Sequence, residues 1–81
     1  MNPSNVRISI DGEVVMDGLL DTWVATPPDV FKDVLDPGAT PKPWLKAIMI
    51  AMLDAVQTGI NVNIDVTTGD GQWSMTVVEV S

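Results

Sequence analysis

The segment TPKPWLKAIMIAMLDAVQTG, residues 40–59, is apolar on nearly every side of the helix that it predicts. At about 100° per residue, one side carries a continuous apolar set that we expect to face a sheet. The opposite side carries charged and polar residues, as a solvated face should, but Met49, Ile50 and Leu53 fall among them. The segment therefore sets two requirements on the fold. A sheet must bury one side of the helix, and something else must bury these three residues.

Two covers would bury Met49, Ile50 and Leu53. One is a short helix predicted just before this segment, at about residues 27–35, whose apolar side chains would shield part of the surface. The other is a second molecule, either a copy of this chain or a different protein, because contiguous exposed apolar patches often mark interaction sites. Both remain open from the sequence, and the second makes these three residues candidates for partner binding.

The N-terminal third of the chain predicts a β-hairpin. Residues 6–10 alternate apolar and polar side chains, and Asp11-Gly12 supplies a turn whose residues tolerate positive φ angles. We expect residues 13–23 to return as the second strand.

The register of this hairpin depends on the length of its turn. A two-residue turn pairs Ile10 with Glu13. A three-residue turn pairs Ile10 with Val14 and Ile8 with Met16, and we favour it because it keeps one face of the hairpin apolar.

Two helices are predicted next, at about residues 27–35 and 41–58. Their starts carry the same signals, since Thr26 and Thr40 are the expected N-caps and proline follows each of them within the first turn. Gly59 is the expected C-terminal cap of the longer helix.

The C-terminal third predicts a second hairpin, with strands at residues 60–66 and 72–80 and a bulge where Val77 and Val78 interrupt the alternation. The order β-β-α-α-β-β predicts a single α+β domain over residues 1–81. We expect an antiparallel sheet of about four strands, with a long and a short helix packed on one face.

The composition argues against several classes of function. The chain has no His, Cys or Tyr, only four Lys and Arg, and a net charge of −7. Without the usual nucleophiles and proton shuttles, we expect no catalytic residue and no enzyme activity. No spacing matches a metal site, so we expect no metal and no cofactor. A chain of this charge is repelled by nucleic acid and anionic lipid, so neither is an expected partner.

The sequence contains no predicted export or membrane segment. Its first residues lack the basic and apolar stretches of a signal peptide, and the apolar run at 44–53 is too short to cross a bilayer. The absence of Cys fits a reducing compartment. We therefore expect a cytoplasmic protein.

Three aspartates give the first predicted helix an acidic side. Asp29, Asp33 and Asp36 follow one another at helical spacing, about 6 Å apart, and so form a candidate surface for a basic partner. Trp23 follows the first hairpin, and the sequence supports equally a role in the core and a role as a binding hot spot. These four residues join Met49, Ile50 and Leu53 as candidate partner-binding residues.

In size, acidity and lack of catalytic residues, the chain resembles the small accessory proteins of bacteriophages and mobile elements, including anti-CRISPR inhibitors, and also nuclease immunity proteins. The resemblance extends over the whole chain and involves no shared motif. It implies a non-catalytic module that inhibits a host protein by covering a basic surface. The alternative is a structural or assembly protein that forms a homodimer or larger oligomer through the apolar side of the second helix.

Overall fold

The computed structural model describes residues 4–69 and 71–80. Within these residues the chain forms four strands, three α-helices and one 3-10 turn. The strands are β1 (Asn5–Ile10), β2 (Glu13–Leu19), β3 (Asn61–Thr67) and β4 (Ser74–Val80). The helices are α1 (Leu20–Ala25), α2 (Lys32–Leu35) and α3 (Pro43–Thr58), and the 3-10 turn, Asp29–Phe31, runs directly into α2.

The strands form one sheet in the order β2-β1-β3-β4. Each hairpin is antiparallel, but the two central strands, β1 and β3, are parallel, with Val6 opposite Val62 and Ile8 opposite Ile64. The α+β prediction is therefore confirmed, whereas the expectation of a fully antiparallel sheet is wrong. The physical reason is the helical crossover, which carries the chain back across the sheet so that β3 enters beside β1 in the same direction.

All helices pack on one face of this sheet, as expected. Alternate side chains of β1 and β3 point toward the helices. Among the described residues no helix covers the other face of the sheet, which we call the bare face. Trp23 and Phe31 meet edge to face, with ring centroids 5.3 Å apart. The buried core consists of Val6, Ile8, Val62, Ile64 and Val66 from the strands and Trp23, Phe31, Leu45, Ile48, Met52 and Ala55 from the helical segments.

The first hairpin closes with a two-residue turn. Asp11 and Gly12 both have positive φ angles, 51° and 82°, which match the twist of the flanking strands. Ile10 consequently pairs with Glu13, so the expected pairing of Ile10 with Val14 is wrong.

A bulge in β2 then shifts the register by one residue. Val15 is the extra residue, because Ser9 pairs with Val14 and Ile8 with Met16. The predicted pairing of Ile8 with Met16 is therefore confirmed, although the bulge rather than a longer turn produces it.

The segment predicted as the end of the second strand folds as a helix instead. β2 ends at Leu19, and the N–H of Leu20 donates to the carbonyl of Ser4 at 3.1 Å where α1 begins. Gly18, with φ of 157°, stands just before this change of direction. The helix turns Trp23 into the core, which local strand propensity does not anticipate.

Prolines move the helix starts away from the expected caps. Lys42 precedes Pro43 and has an extended backbone, with ψ of 146°, because proline disfavours the α conformation in the residue before it. Helix α3 therefore begins at Pro43, and Thr40 is not its cap. Pro28 is the N-cap residue of the next helical segment and has an extended backbone with ψ of 150°, so the first predicted helix starts only at Asp29 and Thr26 does not cap it.

The C-terminal end of α3 agrees with the prediction. Gly59 has φ of 72° and its N–H donates to the carbonyl of Val56 at 3.2 Å, while the N–H of Ile60 reaches the carbonyl of Ala55 at 3.1 Å. These bonds satisfy carbonyl groups that the end of a helix leaves free.

Strand β4 is regular along its length. Its pairing with β3 runs without a shift from Asn61 opposite Val80 to Thr67 opposite Ser74, so the bulge predicted at Val77 and Val78 is wrong. Val77 therefore faces the helix side of the sheet and Val78 faces the bare side.

Replacement of Gly59 by alanine should destabilise the protein by about 1–2 kcal/mol, because a Cβ disfavours the left-handed conformation of this residue. Urea unfolding would measure the loss. Gly38→Ala is the matched control, since Gly38 has no positive φ and a Cβ there would meet its nearest neighbour, an Asp36 oxygen, at an ordinary 3.5 Å. Equal losses in the two variants would contradict this account.

Candidate protein-binding surface

Helix α3 turns two large apolar side chains into solvent. Ile50 lies two residues from both Ile48 and Met52, about 200° around the helix, and so on the side opposite the core. Ile50 is 68% exposed and Leu53 is 55% exposed, while Met49 is half-buried against the core. The chain's own short helix therefore does not cover Ile50 and Leu53, and Met49 is partly buried by packing against the core.

A linear stripe runs along this outer side of α3. Lys46, Ile50, Leu53 and Gln57 follow one another at intervals of four, three and four residues, which places them on one face of a helix. All four are exposed. We call these residues the outer stripe. Its centre is apolar and its ends are polar, which is the arrangement of a small interface with a wet rim.

The three candidate aspartates lie along one short helical segment and at its C-terminal end. Asp29 lies in the 3-10 turn and pairs with Lys32, whose Nζ is 3.3 Å from its Oδ1. Asp33 lies in α2, and Asp36 follows its last residue and accepts a hydrogen bond from the N–H of Gly38 at 2.9 Å. The segment that carries them is a 3-10 turn continued by one α-helical turn, shorter than the helix predicted over residues 27–35. All three carboxylates remain exposed.

Trp23 lies in the core. Its side chain is only 8% exposed, and its ring meets that of Phe31 edge to face. Its indole N–H has no hydrogen-bond partner among the described residues. Of the two roles that the sequence left open, the structure places Trp23 in the packing role, and it contributes no surface to a partner.

Two surface features were not predicted from the sequence. An open groove of about 340 Å³ lies between the start of α3 and the connection from β3 to β4, with Trp44 and Trp73 among its lining residues. On the bare face of the sheet, a shallow depression is lined mainly by polar residues that include Arg7, Asp17 and Asn63. The alternation of apolar and polar residues along the strands predicts which residues lie on this face. That the face stays uncovered follows only from the packing of all helices on the opposite side.

Asp11 connects the turns of the two hairpins. Its carboxylate accepts hydrogen bonds from the hydroxyl of Thr68 and from the N–H of the same residue, the latter at 2.8 Å. The N–H of Asp11 donates to the carbonyl of Val66 at 2.8 Å. The hydroxyl of Thr68, and then its N–H, lower the pKa of Asp11 below the ordinary 3.8 by stabilising the charged form. This carboxylate therefore has a structural role.

Within residues 4–69 and 71–80, no three acidic side chains come together in the manner of metal ligands. No helix in the same part of the chain is long and apolar enough to span a membrane.

Together these features define a small α+β protein with its helices on one side of a mixed sheet and an apolar helix surface turned outward. Residues 5–80 match the protein family described as a domain of unknown function, DUF8277. Because the match covers nearly the whole chain, the protein belongs to this family. No curated protein and no solved structure matches the chain.

Asp11→Asn should lower stability most at neutral pH and progressively less in acid. A carboxylate with a depressed pKa contributes stability above its unfolded pKa and loses it as the pH falls through the folded value. The difference in urea midpoint between wild type and variant should therefore shrink below about pH 3.8, the ordinary value for this group. Thr68→Val should reduce the same pH-dependent difference.

Asp65→Asn is the control for this experiment, because it removes an exposed acid without touching the contact between Asp11 and Thr68. A difference between wild type and Asp11→Asn that stays constant from neutral pH to pH 3 and below would contradict the assigned role of the carboxylate.

Proposed function

We propose that this protein is a non-catalytic protein-binding module whose interface is centred on the outer stripe of α3. The observation that carries the proposal is the exposure of Ile50 and Leu53, at 68% and 55%, on α3, the longest of the described helices. Adjacent large apolar side chains on a helix surface are the anchors by which helices bind apolar grooves.

The packing of α3 favours such binding energetically. The helix is held in place by Leu45, Ile48 and Met52, each at most 3% exposed, so its outer side chains are presented on a rigid support. A preorganised surface loses little entropy when it binds. Full burial of an Ile or Leu side chain contributes about 1.5–3 kcal/mol, and more than half of that surface is still available on each anchor.

Charge suggests the kind of partner. The chain carries a net charge of −7, and Asp29, Asp33 and Asp36 are exposed in the same helix layer as the outer stripe. The surface pair between Asp29 and Lys32 contributes little on its own. A partner with a basic surface around an apolar groove would be attracted from a distance and then held by the apolar contact.

Inhibition is the form of this activity that we propose, in which the module covers a basic surface on a host protein and blocks it. The resemblance of this chain to the small acidic accessory proteins of bacteriophages and mobile elements implies this form of activity. The mechanism requires no catalytic residue in the chain, because occupation of the surface is sufficient.

Self-assembly through α3 is a second candidate, since the same exposed Ile50 and Leu53 would also pair with those of another copy. Light scattering during size exclusion separates the two functions. A monomer across a wide concentration range argues against self-assembly, and a dimer that dissociates when Ile50 is changed to Asp supports it.

Ile50→Asp and Leu53→Asp should each abolish capture of a partner from extracts of the native host, because a carboxylate would be buried in the apolar contact. Both variants should keep the circular dichroism spectrum and urea midpoint of the wild type. Val24→Asp is the matched control, because Val24 is also helical and is 65% exposed. If all three variants retain, or all three lose, the same partner, the outer stripe is not the interface.

Asp29→Lys combined with Asp33→Lys should slow association with that partner and reduce its dependence on salt, because these exposed acids attract the basic surface. Surface plasmon resonance at several salt concentrations measures both effects. The dissociation rate should change little. An association rate that is independent of salt in the wild type would reject electrostatic selection of the partner.

A further inference from the structure

The two edges of the sheet are built differently. The β2 edge carries a bulge at Val15, a glycine with positive φ at Gly18, and the acids Glu13 and Asp17. Bulges and charges are the devices by which proteins prevent edge strands from pairing with other chains. The β4 edge has none of these interruptions. It is regular over the seven residues Ser74–Val80, with no proline or glycine and with Glu79 as its one charged residue.

β4 is also apolar and exposed on both of its faces. Val77, which pairs with Ile64 and so faces the helix side, is nevertheless 45% exposed. On the bare side, Val78 is 49% exposed and Val80 is 38% exposed. A further strand beside β4 would therefore gain backbone hydrogen bonds and bury valine side chains on both faces at once.

We propose that β4 pairs antiparallel with β4 of a second copy of this chain, which joins the two sheets into one sheet of eight strands. Antiparallel pairing of identical strands is self-complementary and closes after two subunits. Pairing of β4 with the β2 edge of another copy would instead be open-ended, and the bulge and acids of β2 oppose it. This inference concerns the sheet edge and is independent of the function proposed for α3.

Charge also favours β4 as the self-association site. Two chains of charge −7 repel each other, and two β4 edges repel each other less than two β2 edges, because β4 carries one acid and β2 carries two. In the register that overlaps all seven residues, Glu79 lies opposite Met75, and the two Glu79 positions are offset by four residues, about 13 Å. That distance exceeds the Debye length of about 8 Å at physiological salt.

The same register places Val77 on the two-fold axis, next to its counterpart in the second copy. An antiparallel pair within one continuous sheet has its two-fold axis perpendicular to the sheet. Both helix layers therefore lie on the same side, and the two outer stripes of α3 face in the same direction. The dimer would present two copies of that surface to one partner or to two.

A charge-exchange experiment tests this arrangement. Sedimentation velocity and light scattering over a concentration series should show a dimer for the wild type. Val77→Lys and Val77→Glu should each weaken the dimer at least about tenfold, because like charges would stand directly opposite each other. An equimolar mixture of the two variants should recover the dimer, because lysine then faces glutamate. Recovery also shows that each variant is folded.

Val14→Lys is the matched control on the other edge, because Val14 is 44% exposed, nearly the same as Val77. It should leave the dimer intact, as should Ile50→Asp. The proposal is overturned by a wild type that is monomeric at every concentration, by a mixture of the Val77 variants that stays monomeric, or by a dimer that dissociates with Val14→Lys or Ile50→Asp and not with Val77→Lys. Binding of an unrelated extended peptide at β4 by a monomeric wild type would likewise overturn it.

Discussion

The rest of the structure depends on the parallel pairing of β1 with β3 beneath α3. The pairing joins segments more than fifty residues apart and unites two hairpins that would otherwise be separate ribbons, each too small to be stable alone. Ile8 and Ile64 face each other across it and are fully buried, with Ile48 of α3 equally buried in the same core. Because so small a chain has a single core, one whole side of α3 is buried against the sheet.

The exposure of Ile50 and Leu53 follows from that geometry. A helix of 16 residues that lies on a four-stranded sheet can bury only the side that faces the sheet. The remaining helical segments are short, since α1 has six residues and α2 has four. Trp23 of α1 and Phe31 of the 3-10 turn are used in the core. Nothing of comparable length remains to cover the outer stripe. An apolar surface there is thus a property of the architecture and is available for recognition.

Local sequence signals predicted the elements well and their arrangement less well. Period-two alternation located β1 and β3, and Gly59 marked the end of α3, because each signal acts within a few residues. Strand order is set by the crossover, which local patterns do not encode, so the parallel central pair was missed. α1 was missed because the packing of Trp23 overrides the strand-like pattern before it. The start of α3 was predictable from Pro43 and its restriction on Lys42. The sequence left two possibilities for Ile50, burial beneath the first predicted helix or exposure to solvent. Only the position of α2 in the structure distinguishes them.

The contact between Asp11 and Thr68 has a consequence for how the chain comes apart. It joins residues 57 positions apart, and every helix in the described part of the chain lies within the loop that it closes. A closed loop of this length restricts the enclosed chain in the way that a reversible cross-link would. Loss of these hydrogen bonds in acid would leave the parallel pairing of β1 with β3 as the closure of the loop, so the turns of the two hairpins should separate while the helices stay attached through the core.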